Sequence, residues 1–226
     1  MLILAIDTAL DACSVAVLDT ATGVFPALET EVIGKGHAER LMAMIENTMM
    51  RAEIGFRDLG RVVVTVGPGS FTGIRVGLSV ARGIGLAGSL PVIGISTLDA
   101  IARGAPSDDP VMVALDARRS EVYVARYDGG RERVGVPEIL SIEEAADRAG
   151  VVGTALYGSG AALLAHYRPE AGFVTLGDAD WPDIREVARL GAVAPAPSEP
   201  PKPLYLRAPD AKPQTRGRVQ RIGAMP

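Results

Sequence analysis

Leu2-Ile3-Leu4-Ala5-Ile6-Asp7 opens the chain, and Val111-Met112-Val113-Ala114-Leu115-Asp116 repeats its plan in the second half: an apolar run that stops at an aspartate. Ala5-Ile6-Asp7 matches Ala114-Leu115-Asp116, and in each half a strand-like stretch leads to another aspartate twelve residues on, Asp19 and Asp128. Short apolar runs bounded by turn residues read as buried strands. Residues 13–18 and 24–33 add two strands around the turn Ala21-Thr22-Gly23, which gives an antiparallel meander. Leu41, Met42, Met44, Ile45, Met49 and Ala52 fall at helical spacing and predict a helix over 37–54. A strand at 61–66, a helix at 72–88, a strand at 91–95 and a short helix at 97–103 follow. After the linker 104–110 (GAPSDDP) the order returns: strands at 111–115, 121–127 and 133–140, then a helix at 141–149 opened by the capping box Ser141/Glu144. A strand at 151–157, a helix at 160–167 and one more helix near 183–190 complete the pattern. Two tandem βββαβα units predict an internal duplication, hence an α/β fold of two lobes around a cleft. The first lobe is expected at 1–105, a reduced second lobe at 106–198, and a Pro-rich basic tail at 199–226.

Composition narrows the function classes. Of 226 residues, 48% are hydrophobic and 22% charged, enough to bury a sizeable core, which excludes disorder as the main state. The uncharged stretch 83–98 is broken by Gly, Ser and Pro and is too short to span a bilayer. The first residues lack a basic region ahead of the apolar run, so no signal peptide is expected. The single cysteine, Cys13, excludes an internal disulfide framework and a cysteine zinc cluster, and the expected compartment is the cytoplasm. The net charge of −4 is uneven. Residues 199–226 carry six basic and two acidic side chains, a surplus of four positive charges that leaves eight negative on residues 1–198. The body is therefore a poor independent nucleic-acid ligand. The tail reads as a solvated, partly extended end, or as a weak phosphate-contacting arm.

The segment Gly67-Pro68-Gly69-Ser70-Phe71-Thr72-Gly73-Ile74-Arg75 carries the most information. It follows a strand and opens a helix that Ser70 or Thr72 can cap. It is neither a P-loop nor a dinucleotide fingerprint, so a structural turn and an anion cradle both stay open. The helix it opens carries Gly73, Gly77, Ala81 and Gly85 four apart. Each interior glycine costs about 1 kcal/mol against alanine, so something must pack closely on that ridge: the chain's own sheet or a partner helix. Met42, Met44, Met49 and Met50, four of the seven methionines, suit an adaptable surface as well as a core.

Chemistry-bearing residues are sparse. His37 opens the first long helix, but the fourth residue on, where a second ligand would share its face, is Leu41. It reads as a first-turn capping or surface residue, and His166 has no expected partner. Asp7, Asp11 and Asp116 have no spacing that demands a cation. No G-x-S-x-G or Cys–His signature is present, and Cys13 inside a strand reads as a small buried hydrophobe. Asp7-Thr8-Ala9-Leu10 forms the first hairpin, where a phosphate-gripping turn would carry glycine. Gly158-Ser159-Gly160-Ala161 reads as a helix start or as room for a base or sugar. No catalytic residue, cofactor site or metal site is expected.

These residues resemble a known family. Gly67 to Gly77 (GPGSFTGIRVG), Gly94-Ile95-Ser96-Thr97-Leu98, and Leu115-Asp116-Ala117-Arg118-Arg119 with Glu121-Val122-Tyr123 are similar to the bacterial TsaB family, also called YeaZ. Ile6-Asp7-Thr8 and Pro203-Leu204-Tyr205-Leu206-Arg207 fit as well, so the resemblance covers roughly residues 1–207. It implies the two-lobed fold of actin, sugar kinases and heat-shock ATPases. It also implies a part in forming N6-threonylcarbamoyladenosine in tRNAs that read codons starting with A. In that scheme another enzyme makes threonylcarbamoyl-adenylate from threonine, bicarbonate and ATP. A catalytic paralogue, TsaD, transfers the threonylcarbamoyl group, TsaB is its non-catalytic partner, and the small ATPase TsaE joins them. The paralogue's H-x-x-x-H metal motif falls here on His37-Ala38-Glu39-Arg40-Leu41, without its second histidine. The rival readings are an autonomous ATPase, a glycoprotease-like peptidase, and a homodimeric scaffold with no tRNA role. The expected partner surface is Leu41, Met44, Ile45, Met49, Gly73, Gly77, Ala81 and Gly85, meeting the paralogue or, alone, a second copy; tRNA contact is expected to be weak or indirect.

Overall fold

The computed structural model describes residues 1–152 and 155–207. Its first sheet has the order β3-β2-β1-β4-β5. β1 (Leu2–Asp7) pairs antiparallel with β2 (Ala12–Asp19), which pairs antiparallel with β3 (Val24–Val32). On its other side β1 runs parallel to β4 (Leu59–Gly67), and β4 parallel to β5 (Val92–Ser96). The unbroken apolar runs of β1 and β4 reflect burial on both faces, whereas the edge strand β3 alternates. On one face lie α1 (His37–Arg51) and α2 (Phe71–Gly88), packed on Leu4, Ile6, Val15, Val62 and Val64. α1 stops three residues short of its apolar pattern: Ala52 caps it, Glu53 turns left-handed at φ 56°, and Ile54 still packs on the cluster.

The second sheet has the order β8-β7-β6-β9, the plan of the first without its fifth strand. β6 (Val111–Asp116), β7 (Glu121–Tyr127) and β8 (Arg133–Ser141) form the second meander. β9 (Ala155–Tyr157) runs parallel to β6 over three residues. The strand expected from 151 is shorter because α4 (Ile142–Val152) continues through those positions, and residues 153–154 lie outside the described residues. The expected capping box forms: Glu144 N donates to Ser141 Oγ (3.1 Å) and Ser141 N to Glu144 Oε2 (3.3 Å). α4 and α5 (Ala161–Tyr167) cover one face. The other face is filled by α3 (Thr97–Arg103), whose Leu98, Ile101 and Ala102 pack on β6 and β7 while Ala100 faces the first sheet. α3 is thus the seam between lobes.

Helix α6 (Ile184–Val193) falls by sequence within 106–198 but packs on the first sheet, with Ile184, Val187 and Ala188 against Ile3, Ala16 and Val63. Arg61 Nη1 donates to the carbonyls of Gly191 (2.6 Å) and Ala194 (2.9 Å) at its C-terminal end. From there the chain runs along the first lobe, where Leu204 N donates to Val66 O at 2.8 Å. The solvated reading of the tail holds for exposed Glu199, Pro200 and Lys202 but fails at Pro201 and over 203–207, which dock through main-chain and side-chain bonds. The rest, with Lys212, Arg216, Arg218 and Arg221, lies outside the described residues. Among the described residues no helix is long and apolar enough to cross a membrane.

A Cβ at position 191 would lie 2.3 Å from Val63 Cγ2 and 2.9 Å from its Cβ. Gly191→Ala is therefore expected to lift α6 from the sheet and cost about 1–3 kcal/mol by overpacking. A loss below about 0.5 kcal/mol in urea unfolding, the range of an ordinary surface change, would contradict this packing.

Candidate functional site

The site is built on the turn between β1 and β2. Asp7, at the end of β1, is fully buried. Its Oδ1 accepts from Thr65 Oγ1 (2.5 Å) and Ala9 N (3.1 Å), while Oδ2 has no partner. Burial pushes the carboxyl up from its ordinary 3.8 to about 6, against the opposing pull of the Thr65 and Ala9 bonds and of the nearby His37. His37 is not the capping or surface residue expected from sequence. It is buried, its Nε2 sits 3.2 Å from Ala12 O, and Gly36 takes the N-cap position. Leu41 is buried on the same helix.

The glycine-rich segment closes over this turn. Ser70 N donates to Ala9 O (2.7 Å), and Thr8 Oγ1 donates to Gly73 O (2.7 Å). A Cβ at Gly69 would sit 2.1 Å from Ala9 O, and one at Gly73 2.1 Å from Thr8 O. Ser70 caps α2, its Oγ accepting from Gly73 N at 3.2 Å. Of the two readings left open, the structural turn is the one the contacts explain: the glycines let two main chains touch. Gly158 and Gly160 do the same in the second lobe, where a Cβ at 158 would meet Ala114 O at 2.6 Å and Gly160 N bonds that oxygen at 2.9 Å.

Between the lobes lies a cleft of about 490 Å³, lined among others by Asp11, Ser70, Asp116, Arg118, Ser159 and Arg207. The β6–β7 turn forms its second wall. Arg118, Arg119 and Ser120 are left-handed in succession (φ 61°, 58°, 59°), a conformation costing about 1 kcal/mol or more per residue. Asp116 holds that turn: its Oδ1 accepts from Arg118 N (2.7 Å) and its Oδ2 from Arg118 Nη1 (3.0 Å). Asp116 N donates to Ser159 Oγ at 3.2 Å. Leu10, from the first hairpin, packs against clusters of both lobes and fills the cleft floor. Asp11 and Asp116 reach the cleft and Asp7 does not, so the three aspartates do not gather. Among the described residues no group of three or more His, Cys, Asp or Glu side chains is placed to hold a metal. Cys13 is buried in β2, and burial pushes its thiol up to about 12.

The expected partner surface needs correction. Leu41, Met44, Ile45, Met49, Gly73, Gly77, Ala81 and Gly85 are all buried within the first lobe. The small ridge faces the chain's own sheet: a Cβ at Gly77 would meet Thr8 Oγ1 at 2.5 Å, and one at Gly85 would meet Val92 Cγ2 at 2.3 Å. Helical spacing reveals a ridge but not the direction in which it points. The outer face of α2 carries a second ridge four apart, Ser79, Gly83 and Ala87, flanked by half-buried Val76, Val80 and Ile84. Nothing lies within 4 Å of a Cβ added at Gly83. Leu86 is 86% exposed and Met50 69%.

Two βββαβα units about a cleft define a duplicated, two-lobed α/β fold, the architecture that the family resemblance implied. The family model described as TsaD: tRNA N6-adenosine threonylcarbamoyltransferase matches residues 14–166. The tRNA threonylcarbamoyladenosine biosynthesis protein TsaB of Escherichia coli is 39% identical over 130 residues, covering 56% of this chain and 55% of that protein. The chain thus spans little more than half of this curated relative. An uncharacterized protein of Mycobacterium tuberculosis is 37% identical over 213 residues, 93% of this chain and 94% of that one. A solved Pseudomonas aeruginosa protein described as similar to the peptidase YeaZ superposes with a TM-score of 0.77 at 29% identity, covering 91% of this chain and 99% of its own. YeaZ of Pseudomonas aeruginosa gives 0.70 at 28%, over 84% and 90%. The chain belongs to the TsaB (YeaZ) family, within the group that the TsaD-type model describes.

Two substitutions test this geometry. Because folded Asp7 holds its proton up to about pH 6 and an unfolded aspartate only to about 3.8, stability falls as pH rises between these values. A shift of roughly two pH units is worth about 3 kcal/mol. Asp7→Asn is expected to flatten the urea-unfolding profile between pH 4 and 6; a slope identical to the parent's would refute the assignment. Ala81→Leu forces a larger side chain toward the sheet and is expected to cost about 1–3 kcal/mol. An unchanged melting temperature would instead mean that the ridge faces outward.

Proposed function

We propose that this chain is the non-catalytic subunit of a complex that forms N6-threonylcarbamoyladenosine in tRNA, acting by binding a catalytic TsaD-type paralogue. Family membership and the biosynthetic role in the names of its curated relatives support the pathway. The observation that carries the non-catalytic part is the filled hairpin. Leu10 occupies the cleft floor, Asp7 is sealed beneath it, and the main-chain oxygens of Thr8 and Ala9 are covered by Gly73 and Gly69. The Ala9 N–H is spent on Asp7 Oδ1 (3.1 Å), and Leu10 and the carboxylate of Asp11 stand where a phosphate-gripping turn would carry glycine. This weighs against autonomous ATP hydrolysis, and the absence of a nucleophile–base pair from the sequence motifs weighs against a peptidase.

Partner binding is assigned to the outer face of α1 and α2. Exposed Leu86 on α2 and Met50 and Met42 on α1 offer apolar area, and the open notch at Gly83 offers room for another helix to approach closely. The occupant in this reading is a helix pair of the same kind, from the paralogue or, in its absence, from a second copy. TsaE-like ATPase joins the complex afterwards, tRNA contact is indirect or weak, and the complex works in the cytoplasm. Co-purification with the organism's own TsaD-type protein tests the reading. Met50→Glu with Leu86→Glu is expected to abolish capture and leave the melting temperature within a degree or two, as befits surface positions. Undiminished capture would move the interface elsewhere, and ATP turnover by the isolated chain, abolished by Asp7→Ala, would overturn the non-catalytic assignment.

A further inference from the structure

Four successive residues hold both lobes at once. Leu204 donates its N–H to Val66 O at the end of β4 (2.8 Å). Tyr205 stacks on Phe71 with ring centroids 4.9 Å apart, and its hydroxyl accepts from Arg75 Nε at 2.8 Å. The Arg75 guanidinium in turn lies 3.7 Å above the Phe71 ring. These contacts belong to the first lobe. Leu206 then packs into the second lobe's cluster. Arg207 donates to Ala117 O (2.9 Å) and Arg118 O (3.4 Å) on the left-handed β6–β7 turn and pairs with Glu121 at the start of β7. The approach is built for this path. Arg82 Nη2 donates to Pro201 O at 2.6 Å, and a Cβ at Gly94 would come within 2.7 Å of the Pro201 ring. Gly67, at φ 106°, leaves room for Leu204 O, which a Cβ there would approach to 2.9 Å. Pro200, Pro201 and Pro203 restrict the strap before it docks, which lowers the entropy lost on docking.

We propose that residues 204–207 are a releasable clasp that fixes the angle between the lobes and so sets the width of the cleft. The physical argument is one of parallel ties. The lobes share the buried α3 seam and Leu10 beside it, which in this proposal form the hinge; a further tie anchored on β4 and α2 at one end and on the β6–β7 turn at the other removes the hinge's freedom. The clasp is also the weaker tie. Tyr205 is 37% exposed and the Arg207 side chain 25%, whereas Leu98 and Ile101 in the seam are at most 2% exposed. Exposed contacts open before buried ones, so the clasp releases with only half-buried Leu206 leaving the second lobe's cluster, while the α3 seam stays packed. Arg207 itself lines the cleft, so release widens the cleft and frees the carbonyls of Ala117 and Arg118 together. This inference is independent of the pathway proposed above: it holds for the isolated chain whichever partner it meets.

Interlobe distances in the full chain test it. Ala38→Cys on α1 and Ala162→Cys on α5 give two exposed labelling sites, one per lobe, while buried Cys13 stays unlabelled. In this background Arg207→Gln removes the grip on Glu121 but leaves every apolar contact of the strap. Adding Tyr205→Ala also removes the first-lobe anchor. Lys202→Gln, on the same strap but paired only with exposed Glu199, is the control. Spin-label or fluorescence distance distributions are expected to stay narrow in the parent and control, and to broaden and shift outward in Arg207→Gln and further in the double variant. Far-UV circular dichroism identical to the parent's certifies the fold; should the double variant fail that check, Arg207→Gln decides alone. A distribution in Arg207→Gln indistinguishable from the parent's overturns the clasp.

Discussion

The main chain of the first hairpin and that of the first turn of α2 meet with no side chain between them, and most of the first lobe is arranged around that contact. Gly69 and Gly73 are spent on it, since a Cβ at either would fall 2.1 Å from a carbonyl oxygen. The bonds gained are few, Ser70 N to Ala9 O and Thr8 Oγ1 to Gly73 O, and each is worth about 1 kcal/mol net. What they fix is larger. α2 is set against β1, β4 and the start of β5 at a distance that small residues at Gly77, Ala81 and Gly85 allow, and the opposite face of α2 is thereby presented outward. The same contact covers the turn oxygens and leaves Asp7 sealed with one unpartnered oxygen, a cost the fold bears as a raised carboxyl pKa.

The second lobe depends on the first for its core. Among the described residues its sheet has four strands, with only a single parallel bridge from Thr175 to Leu156 at the free edge of β9, and one face is closed by α3 together with Leu10 and Leu206, all from outside the βββαβα unit. Tyr127, buried in that face, donates its hydroxyl to Asp99 on α3 at 2.8 Å, and Arg133 pairs with the same carboxylate. A lobe completed by its neighbour cannot drift far from it. The strained left-handed turn at 118–120 stands on that shared foundation, held by Asp116 from inside and by Arg207 from across the cleft. Strain of this kind persists only where surrounding structure over-determines it.

Much of this was legible in the residues. The apolar runs ending at Asp7 and Asp116 define the central strands because strands buried on both faces leave an unbroken apolar signature. The box at Ser141 and Glu144 and the cap at Ser70 are local interactions, three residues apart, and so are readable without the fold. His37 was misjudged because its partner, Ala12 O, is distant in sequence and belongs to the main chain, which carries no residue-type signal. The strap at 199–207 reads as solvated because proline and charge dominate its composition. Its docking rests on Gly94 and Gly67, whose missing side chains mean nothing until the strap lies over them.

The sequence by itself determined the duplicated βββαβα plan, the helix starts, and the fact that something must pack closely along Gly73, Gly77, Ala81 and Gly85. Those are consequences of periodicity and local hydrogen bonding, which act within one or two turns of chain. Only the tertiary structure decided which side of that ridge is filled, that α6 returns to the first sheet, and that Leu10, Leu206 and Arg207 tie the lobes together. A helix shows the same spacing whether its small face meets a sheet or another molecule; the direction is set by the whole chain's burial of apolar surface, a sum no single segment contains.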